Sequence, residues 1–199
     1  MTSTAPPDVD DALPPPPRRS LRRLLLAGGG VLLLALAGAA TVITVQRSSD
    51  ASPTALRRGD GKQAPAFQLP DLRDPQQTIE LADFAGRPVV LNFWATWCVP
   101  CRREMPAFQA LHNQLGEQVA FVGINHQDGR TPALDLLAET GVTYPTAHDP
   151  AGDVAQTYGL FAMPTTVFIS ATGERLATRT GEIRADELER TIRDLLLAG

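Results

Sequence analysis

The chain has 199 residues and a formal net charge of −4, and charged residues make up 20% of it. This length accommodates one domain of ordinary size together with appendages. No basic stripe stands out along the sequence, which argues against nucleic-acid binding as the function. Cys98 and Cys101 are the only cysteines, so any cysteine chemistry depends on this one pair.

The N-terminal part of the chain differs in composition from the rest. Residues 1–23 are rich in proline and end in a group of arginines, which predicts an extended cytoplasmic tail. Residues 24–45 contain no charged residue. As a helix this stretch would be about 33 Å long, enough to cross a bilayer core of about 30 Å. We predict a single transmembrane anchor. A cleaved signal peptide is the alternative, although the apolar region of a signal is usually shorter, about 7–15 residues.

The charges that flank this anchor predict its orientation. Four arginines lie close before it, and four basic residues follow within twenty residues: Arg47, Arg57, Arg58 and Lys62. The first group is packed against the membrane edge, which favours a cytoplasmic location for that end. The following domain would then be extracytoplasmic, where disulfides persist. We therefore expect a single-pass protein of the cell membrane. Residues 46–60 are polar and predict a linker, and residues 61–199 form the predicted folded domain.

Short apolar runs alternate with amphipathic segments in this domain. The predicted strands are 66–69, 78–81, 89–95, 119–124, 143–147, 165–169 and 175–180. The predicted helices are 100–115, 132–139, 153–158 and 182–197. Strands that alternate with helices and end in a hairpin and a helix are typical of an α/β sandwich.

The cysteine pair lies where a strand meets a helix. The apolar run from Val89 to Ala95 predicts a buried strand, and Pro100 fits the first turn of a helix. Residues three apart in a helix share one face, so the sulfurs of Cys98 and Cys101 can close a small disulfide ring. The helix N-terminus also favours a thiolate. We interpret the pair as a redox-active dithiol, with Cys98 as the attacking thiol and Cys101 as the resolving thiol.

Other interpretations of the two cysteines fit the sequence less well. A structural disulfide of this spacing would constrain the unfolded chain little. A zinc site usually needs four ligands, and His112, His126 and His148 do not have zinc-finger spacing. Two plain core residues are a further alternative. A thiol peroxidase would need proline and threonine before the first cysteine, where this chain has Leu91 and Ala95.

The active-site segment resembles that of a known family. The segment from Phe93 to Pro106, together with Gly123-Ile124-Asn125 and Met163-Pro164-Thr165-Thr166, resembles the membrane-anchored extracytoplasmic thioredoxins of the TlpA/ResA type. The resemblance covers about residues 60–199. It implies a thioredoxin-like three-layer α/β sandwich with a helix-and-strand insertion between Asn125 and Met163. It also implies an enzyme that catalyses thiol–disulfide exchange between proteins, with no cofactor other than the redox-active disulfide Cys98–Cys101.

The resemblance implies roles for residues outside the cysteine pair. Pro164 is expected to follow a cis peptide bond in a loop that faces the dithiol, where the Met163 backbone pairs with an extended substrate. Glu104 matches a functional glutamate that faces the thiols and relays protons, although a solvated acid near a helix N-terminus is the alternative. We expect Trp97 and Trp94 to pack beside the site, with Trp97 in contact with substrate. For both, a plain core position is the alternative.

The direction of electron transfer follows from the charges near the dithiol. Strongly oxidising dithiols stabilise their reduced form as an acidic thiolate. Val99-Pro100 supplies no positive group and Glu104 opposes a thiolate, whereas Arg102 and Arg103 favour one unless they point to solvent. We therefore expect a disulfide reductase that a membrane electron donor keeps reduced.

The expected partners are protein thiols or disulfides, and by resemblance an apocytochrome c or its thiol chaperone during cytochrome c maturation. A disulfide-forming oxidase of secreted proteins is the alternative within the same class. A copper- or metal-delivery protein that uses the cysteine pair as ligands is the alternative from another class.

Overall fold

The computed structural model describes residues 56–198. The predicted tail, the predicted transmembrane anchor and residues 46–55 of the predicted linker lie outside the described residues. Within residues 56–198, no helix is both long enough and apolar enough to cross a membrane.

A mixed sheet forms the centre of the described domain. Among residues 56–198 its six strands are, in chain order, β1 (Leu56–Arg58), β4 (Val89–Trp94), β5 (Ala120–His126), β6 (Thr146–Asp149), β7 (Thr165–Ile169) and β8 (Arg175–Thr180). They pair in the order β1-β8-β7-β4-β5-β6. Strand β5 runs parallel to β4 and β6, whereas β7 is antiparallel to β4 and β8. A separate antiparallel hairpin is formed by β2 (Gln68–Pro70) and β3 (Thr78–Glu80).

The helices follow the strands much as the sequence predicts. They are α1 (Val99–Leu115), α2 (Arg130–Thr140), α3 (Asp153–Thr157) and α4 (Ala185–Leu196), with a short 3₁₀ helix at Leu81–Phe84. Helix α2 begins two residues earlier than predicted because Gly129, rather than Thr131, has the extended backbone of an N-cap. Helix α4 begins later than predicted because Arg184 is still extended.

Side chains alternate between two hydrophobic cores along the central strand. Val90 and Trp94 of β4 face one core, which includes Phe108 of α1 and buried residues of α2 and α4. Leu91 and Phe93 face the other core, which includes residues of β3 and α3. This period of two is that of a strand buried on both faces. The result is three layers, with α2, β6 and α3 occupying the predicted insertion between β5 and β7.

Strand β1 extends the sheet into the segment predicted as a linker. Leu56–Arg58 pairs antiparallel with β8, with Leu56 opposite Arg179. Its three side chains are all exposed, so the segment shows no apolar alternation. Backbone pairing to an edge therefore adds residues 56–58 to the sheet without a hydrophobic signal in the sequence.

Candidate active site

The cysteine pair lies at the junction of β4 and α1. Cys98 is the N-cap of α1 with an extended backbone, and its Sγ accepts a hydrogen bond from the Cys101 N–H at 3.3 Å. Pro100 lies in the first turn of the helix, where its missing N–H leaves no backbone acceptor unpaired. Cys98 and Cys101 are joined by a disulfide. The predicted pairing is therefore present in the structure.

The two sulfurs differ in their access to a surface groove. Cys98 is 5% exposed and lines a groove of about 940 Å³, which we call the active-site groove, whereas Cys101 does not line it and is 0% exposed. An attacking thiol must be reached by the substrate sulfur. This difference supports the assignment of Cys98 as the attacking residue and Cys101 as the resolving residue, which stays a prediction.

Apolar side chains form part of the wall of the active-site groove. Trp97, Val99 and Phe161 all line it and are 58%, 60% and 66% exposed. Met163 lines the same groove, and the Met163–Pro164 peptide bond is cis, as the resemblance implied. Such an exposed apolar rim is typical of a surface that contacts another molecule. The expected contact of Trp97 and Met163 with substrate is compatible with this placement and stays a prediction.

The two tryptophans of the motif have different environments. Trp94 is 0% exposed and belongs to the core beneath the helices, so the plain core interpretation is correct for this residue. Trp97 points outward, and its Nε1–H donates to the backbone carbonyl of Gln127 at 3.2 Å. Pro164 is buried and Met163 is only partly buried, so Met163 is the member of the proline loop that faces the groove.

Glu104 lies inside the protein, one helical turn after Cys101. It is 2% exposed, its Oε1 accepts from Asn92 Nδ2 at 2.9 Å, and its Oε2 accepts from the Ile183 N–H at 3.0 Å. The alternative of a solvated surface acid is therefore wrong. Burial raises the pKa of Glu104 to about 8, although the hydrogen bonds from Ile183 and Asn92 oppose this shift. A buried acid with this pKa can exchange protons near neutral pH.

The two arginines between Cys101 and Glu104 point to the surface. Arg102 Nη2 donates to both carboxylate oxygens of Glu139 at 3.2 Å, and Arg103 forms an ion pair with Glu182. Both arginines are about half exposed. Their charges are therefore paired and screened by solvent, which weakens any stabilisation of a Cys98 thiolate.

Asp128 contacts the active-site loop, and the sequence patterns assigned it no role. Its Oδ2 accepts from the Thr96 N–H at 2.6 Å and from Asn125 Nδ2 at 3.0 Å. Its Oδ1 accepts from Thr96 Oγ1 at 2.8 Å and from the Gly129 N–H at 2.9 Å. The signal that could have identified it is its position directly after β5, because the ends of parallel strands β4 and β5 meet at one edge of the sheet.

The fold and the groove-lining cysteine define a thioredoxin-fold protein with a redox-active disulfide. The model of the AhpC/TSA family matches residues 61–174. The chain is 36% identical over 160 residues to the "Thiol-disulfide oxidoreductase ResA" of Oceanobacillus iheyensis. The aligned region covers 79% of this chain and 82% of that protein. It is 40% identical over 138 residues to the "Thiol:disulfide interchange protein DsbE" of Xylella fastidiosa, and this aligned region covers 68% of each chain.

A solved structure supports the same assignment. The crystal structure of a DsbF homologue from Corynebacterium diphtheriae is 31% identical, has a TM-score of 0.64, and covers 74% of this chain and 96% of that one. The chain belongs to the AhpC/TSA thioredoxin family, and within it to the ResA/DsbE-like thiol–disulfide oxidoreductases.

Proposed function

We propose that the protein is a membrane-tethered disulfide reductase whose domain lies on the extracytoplasmic side of the cell membrane and acts in cytochrome c maturation. The proposed substrate is the disulfide of an apocytochrome c or of its thiol chaperone. A membrane electron donor returns the dithiol to the reduced state. The apolar stretch 24–45 supports the tether, and the resemblance of the active-site segment to TlpA/ResA proteins supports the pathway.

The proposed reaction transfers two electrons from the dithiol to the substrate. The Cys98 thiolate attacks one sulfur of the substrate disulfide, which forms a mixed disulfide and releases the other substrate sulfur as a thiolate that takes up a proton. The Cys101 thiolate then attacks Cys98 Sγ. This step releases the second substrate thiol and leaves the Cys98–Cys101 disulfide.

Glu104 is the proposed proton acceptor for Cys101. It follows Cys101 by one turn on the same buried face of α1. Its pKa of about 8 means that a fraction of the Glu104 carboxyl is ionised near neutral pH and can accept a proton from the Cys101 thiol. The resolving thiol can thus be deprotonated although bulk water does not reach it.

The burial of Glu104 is the single observation that carries the reductase direction. Below about pH 8 the Glu104 carboxyl is mostly neutral and offers a thiolate no positive charge, and above that pH the carboxylate repels a thiolate, so in neither range does Glu104 stabilise the thiolate form of the dithiol. Arg102 and Arg103 do not supply that stabilisation either, because they pair with Glu139 and Glu182 at the surface. The N-terminus of α1 favours a thiolate at Cys98, but a helix N-terminus has this effect in thioredoxin-fold reductases and oxidases alike. A dithiol with a weakly stabilised thiolate is a poor oxidant.

The reduction potential tests the direction. The protein is equilibrated with buffers of reduced and oxidised dithiothreitol or glutathione, and the fraction of disulfide is measured by thiol alkylation. We expect a potential closer to the about −270 mV of thioredoxin than to the about −120 mV of strong disulfide-forming oxidants. A potential near the oxidising limit would contradict the proposal and favour the oxidase alternative.

The substrate is tested by trapping. A Cys101→Ser variant retains the attacking thiol but cannot resolve the mixed disulfide, so partners accumulate as covalent complexes. Capture of an apocytochrome c or of a dedicated thiol chaperone is the expected result, and a Cys98→Ser variant that captures neither is the control. Capture of many unrelated secreted proteins would contradict the cytochrome c assignment.

Metal delivery is tested by a separate measurement. Within residues 56–198, no three His, Cys, Asp or Glu side chains are grouped so that they could hold a metal ion. Stoichiometric retention of copper or zinc by the reduced protein after purification would favour the metal-delivery alternative over the reductase.

A further inference from the structure

The loop before Cys98 forms a tight turn, which we call the active-site turn. It comprises Ala95–Cys98, and the Cys98 N–H donates to the Ala95 carbonyl at 3.2 Å, which is the bond that closes a β-turn. Thr96 is the second residue of this turn and Trp97 the third. Any contact that fixes Thr96 therefore also fixes the backbone that leads into Cys98 and the starting point of the Trp97 side chain.

Asp128 holds Thr96 by two separate bonds. The Thr96 N–H donates to Oδ2 at 2.6 Å and the Thr96 hydroxyl donates to Oδ1 at 2.8 Å. The residue before Asp128 holds the other central residue of the turn, because the Gln127 carbonyl accepts from Trp97 Nε1. Gln127 has φ 45°, the one positive φ of a non-glycine residue among residues 56–198. Non-glycine residues in this region of backbone space cluster at functional sites.

The groups that surround the Asp128 carboxylate are all hydrogen-bond donors. Besides the two groups of Thr96, Asn125 Nδ2 and the Gly129 N–H donate to it. Partial burial acts to raise the pKa of Asp128, but these bonds outweigh it and hold that pKa below its usual value. An asparagine in its place would turn an NH₂ group toward a donor. The arrangement therefore requires a carboxylate and not merely a polar side chain of this size.

The insertion anchors the segment that carries Asp128. The Gln127 N–H donates to the Asp149 carbonyl at 2.9 Å, and His148 Nε2 lies 3.0 Å from the Asp128 carbonyl oxygen. His148 and Asp149 both belong to β6. The active-site turn is thus connected through Asp128 to the strand that the insertion adds to the sheet.

We propose that Asp128 is a positioning residue for thiol–disulfide exchange. By binding both the N–H and the hydroxyl of Thr96, it fixes the active-site turn, so that Cys98 Sγ faces the groove and Trp97 forms a defined wall beside it. Attack on a disulfide requires the incoming sulfur to approach along the S–S axis, and small misplacements of reacting groups are costly in rate. The proposal rests on thiol–disulfide exchange itself and holds for either direction of electron transfer. It can therefore be refuted without refuting the reductase assignment, and the reverse is also true.

Kinetics of an Asp128→Asn variant of the full chain provide the first test. The reduced protein is mixed with oxidised glutathione, and the rate of disulfide formation is followed from pH 5 to pH 10 with the Cys98 pKa determined in parallel. We expect the high-pH plateau, where Cys98 is fully thiolate, to fall by about 10- to 100-fold. Asp135→Asn is the control, because Asp135 is an exposed acid on α2 with no contact to the active-site turn, and it should react at the wild-type rate.

A purely electrostatic role predicts the opposite result. Removal of a negative charge near a thiol lowers the thiol pKa, so the rate below that pKa would rise and the plateau would change little. That outcome would overturn the positioning role. An unchanged rate in variant protein that is folded at the assay temperature, with only a lowered melting temperature, would overturn it as well, because Asp128 would then be a structural residue.

Thr96 variants keep the test decisive if Asp128→Asn fails to fold. Thr96→Val removes only the hydroxyl bond and should slow exchange by about 3- to 10-fold, whereas Thr96→Ser retains the hydroxyl and should restore the rate. The fluorescence emission of Trp97 is an independent measurement, and comparison with Trp97→Phe assigns it to this residue. The emission should shift to the red in Thr96→Val but not in Thr96→Ser. Equal rates and equal emission in the two Thr96 variants would overturn the proposal.

Discussion

Glu104 Oε2 accepts a hydrogen bond from the Ile183 N–H at 3.0 Å. This bond joins the active-site helix to the turn between β8 and α4, while Oε1 of the same carboxyl binds Asn92 in β4. Glu104 therefore connects three elements beneath the dithiol. Both protein donors favour the ionised form, whereas burial favours the neutral form. The balance between them makes the carboxyl responsive to pH in the neutral range.

The stability of the oxidised protein should fall as pH rises through the neutral range. The folded-state pKa of Glu104 is about 8 against an ordinary value of 4.5, so the folded state binds more protons than the unfolded state between these pH values. The stabilisation is fully present below about pH 4.5 and is lost as pH rises to about 8. The total loss is on the order of 5 kcal/mol.

This pH dependence is measured against Glu104→Gln, which cannot ionise. Chemical unfolding of the oxidised wild type and variant is followed from pH 4.5 to pH 8.5. The free energy of unfolding of the wild type should decline relative to that of the variant over this range. Parallel curves for the two proteins would contradict the raised pKa.

The same substitution should change the reactivity of the dithiol. Without a carboxylate in the buried region, the thiolate is less disfavoured, so the Cys98 pKa falls in Glu104→Gln. Alkylation rates of the reduced protein from pH 5 to pH 10 measure this pKa. Glu117→Gln, which changes an exposed residue near the far end of α1, serves as the control and should titrate like the wild type. A Cys98 titration that is the same in Glu104→Gln and wild type would remove Glu104 from the exchange chemistry.

Removal of either arginine after Cys101 should leave the reduction potential nearly unchanged. Arg102 and Arg103 are half exposed and pair with Glu139 and Glu182, and exposed pairs contribute little, about 0–1 kcal/mol. Arg102→Gln and Arg103→Gln are compared with the wild type in the same glutathione buffers. A large shift toward more negative potentials in either variant would show that the arginine stabilises the Cys98 thiolate, and it would weaken the argument from paired charges.

The membrane anchor predicted from residues 24–45 is tested in cells. Full-length protein should fractionate with membranes and resist extraction by carbonate, because an apolar helix of this length inserts stably. A cysteine-accessibility or protease assay on intact cells should place residues 61–199 outside the cytoplasm. A soluble form that begins near residue 40 would instead show that the segment is a cleaved signal.

The residues that carry the chemistry of the site were easier to predict from the sequence than the contacts that hold them in place. The apolar runs before Cys98 and after Pro164 predicted β4 and β7, and the motif predicted the disulfide, because these features are local in sequence. The burial of Glu104 also had a local signal, since it shares a helical face with Cys101 and Met105. That signal competes with the general rule that acids near a helix N-terminus are solvated.

The remaining features depend on contacts that are distant in sequence. Asp128 lies 32 residues from Thr96, and no spacing rule predicts such a pair without knowledge of which strands are neighbours. Strand β1 pairs with β8 and its three side chains are exposed, so they carry no apolar pattern. Both features follow from sheet order, which the sequence pattern of a single chain determines only weakly.

Phe161 should contribute to the binding of protein substrates without taking part in the chemical step. Phe161 is 66% exposed and lines the active-site groove, and the Arg57 guanidinium lies 5.8 Å from the centroid of its ring. Contact with a substrate would remove this apolar surface from water. For Phe161→Ala we therefore expect KM for a disulfide-containing protein substrate to rise by about 10-fold, which corresponds to about 1.4 kcal/mol, with kcat nearly unchanged.

A small disulfide substrate distinguishes a role of Phe161 in protein binding from a general loss of activity. Oxidised glutathione has no large apolar side chain that could cover Phe161, so Phe161→Ala should reduce it at the wild-type rate. Leu56→Ala is the matched control, because Leu56 is another exposed large apolar side chain, 42% exposed, that does not line the groove. An equal loss with glutathione and with the protein substrate, or a fall in kcat alone, would show that Phe161 supports the structure of the site rather than the binding of substrate.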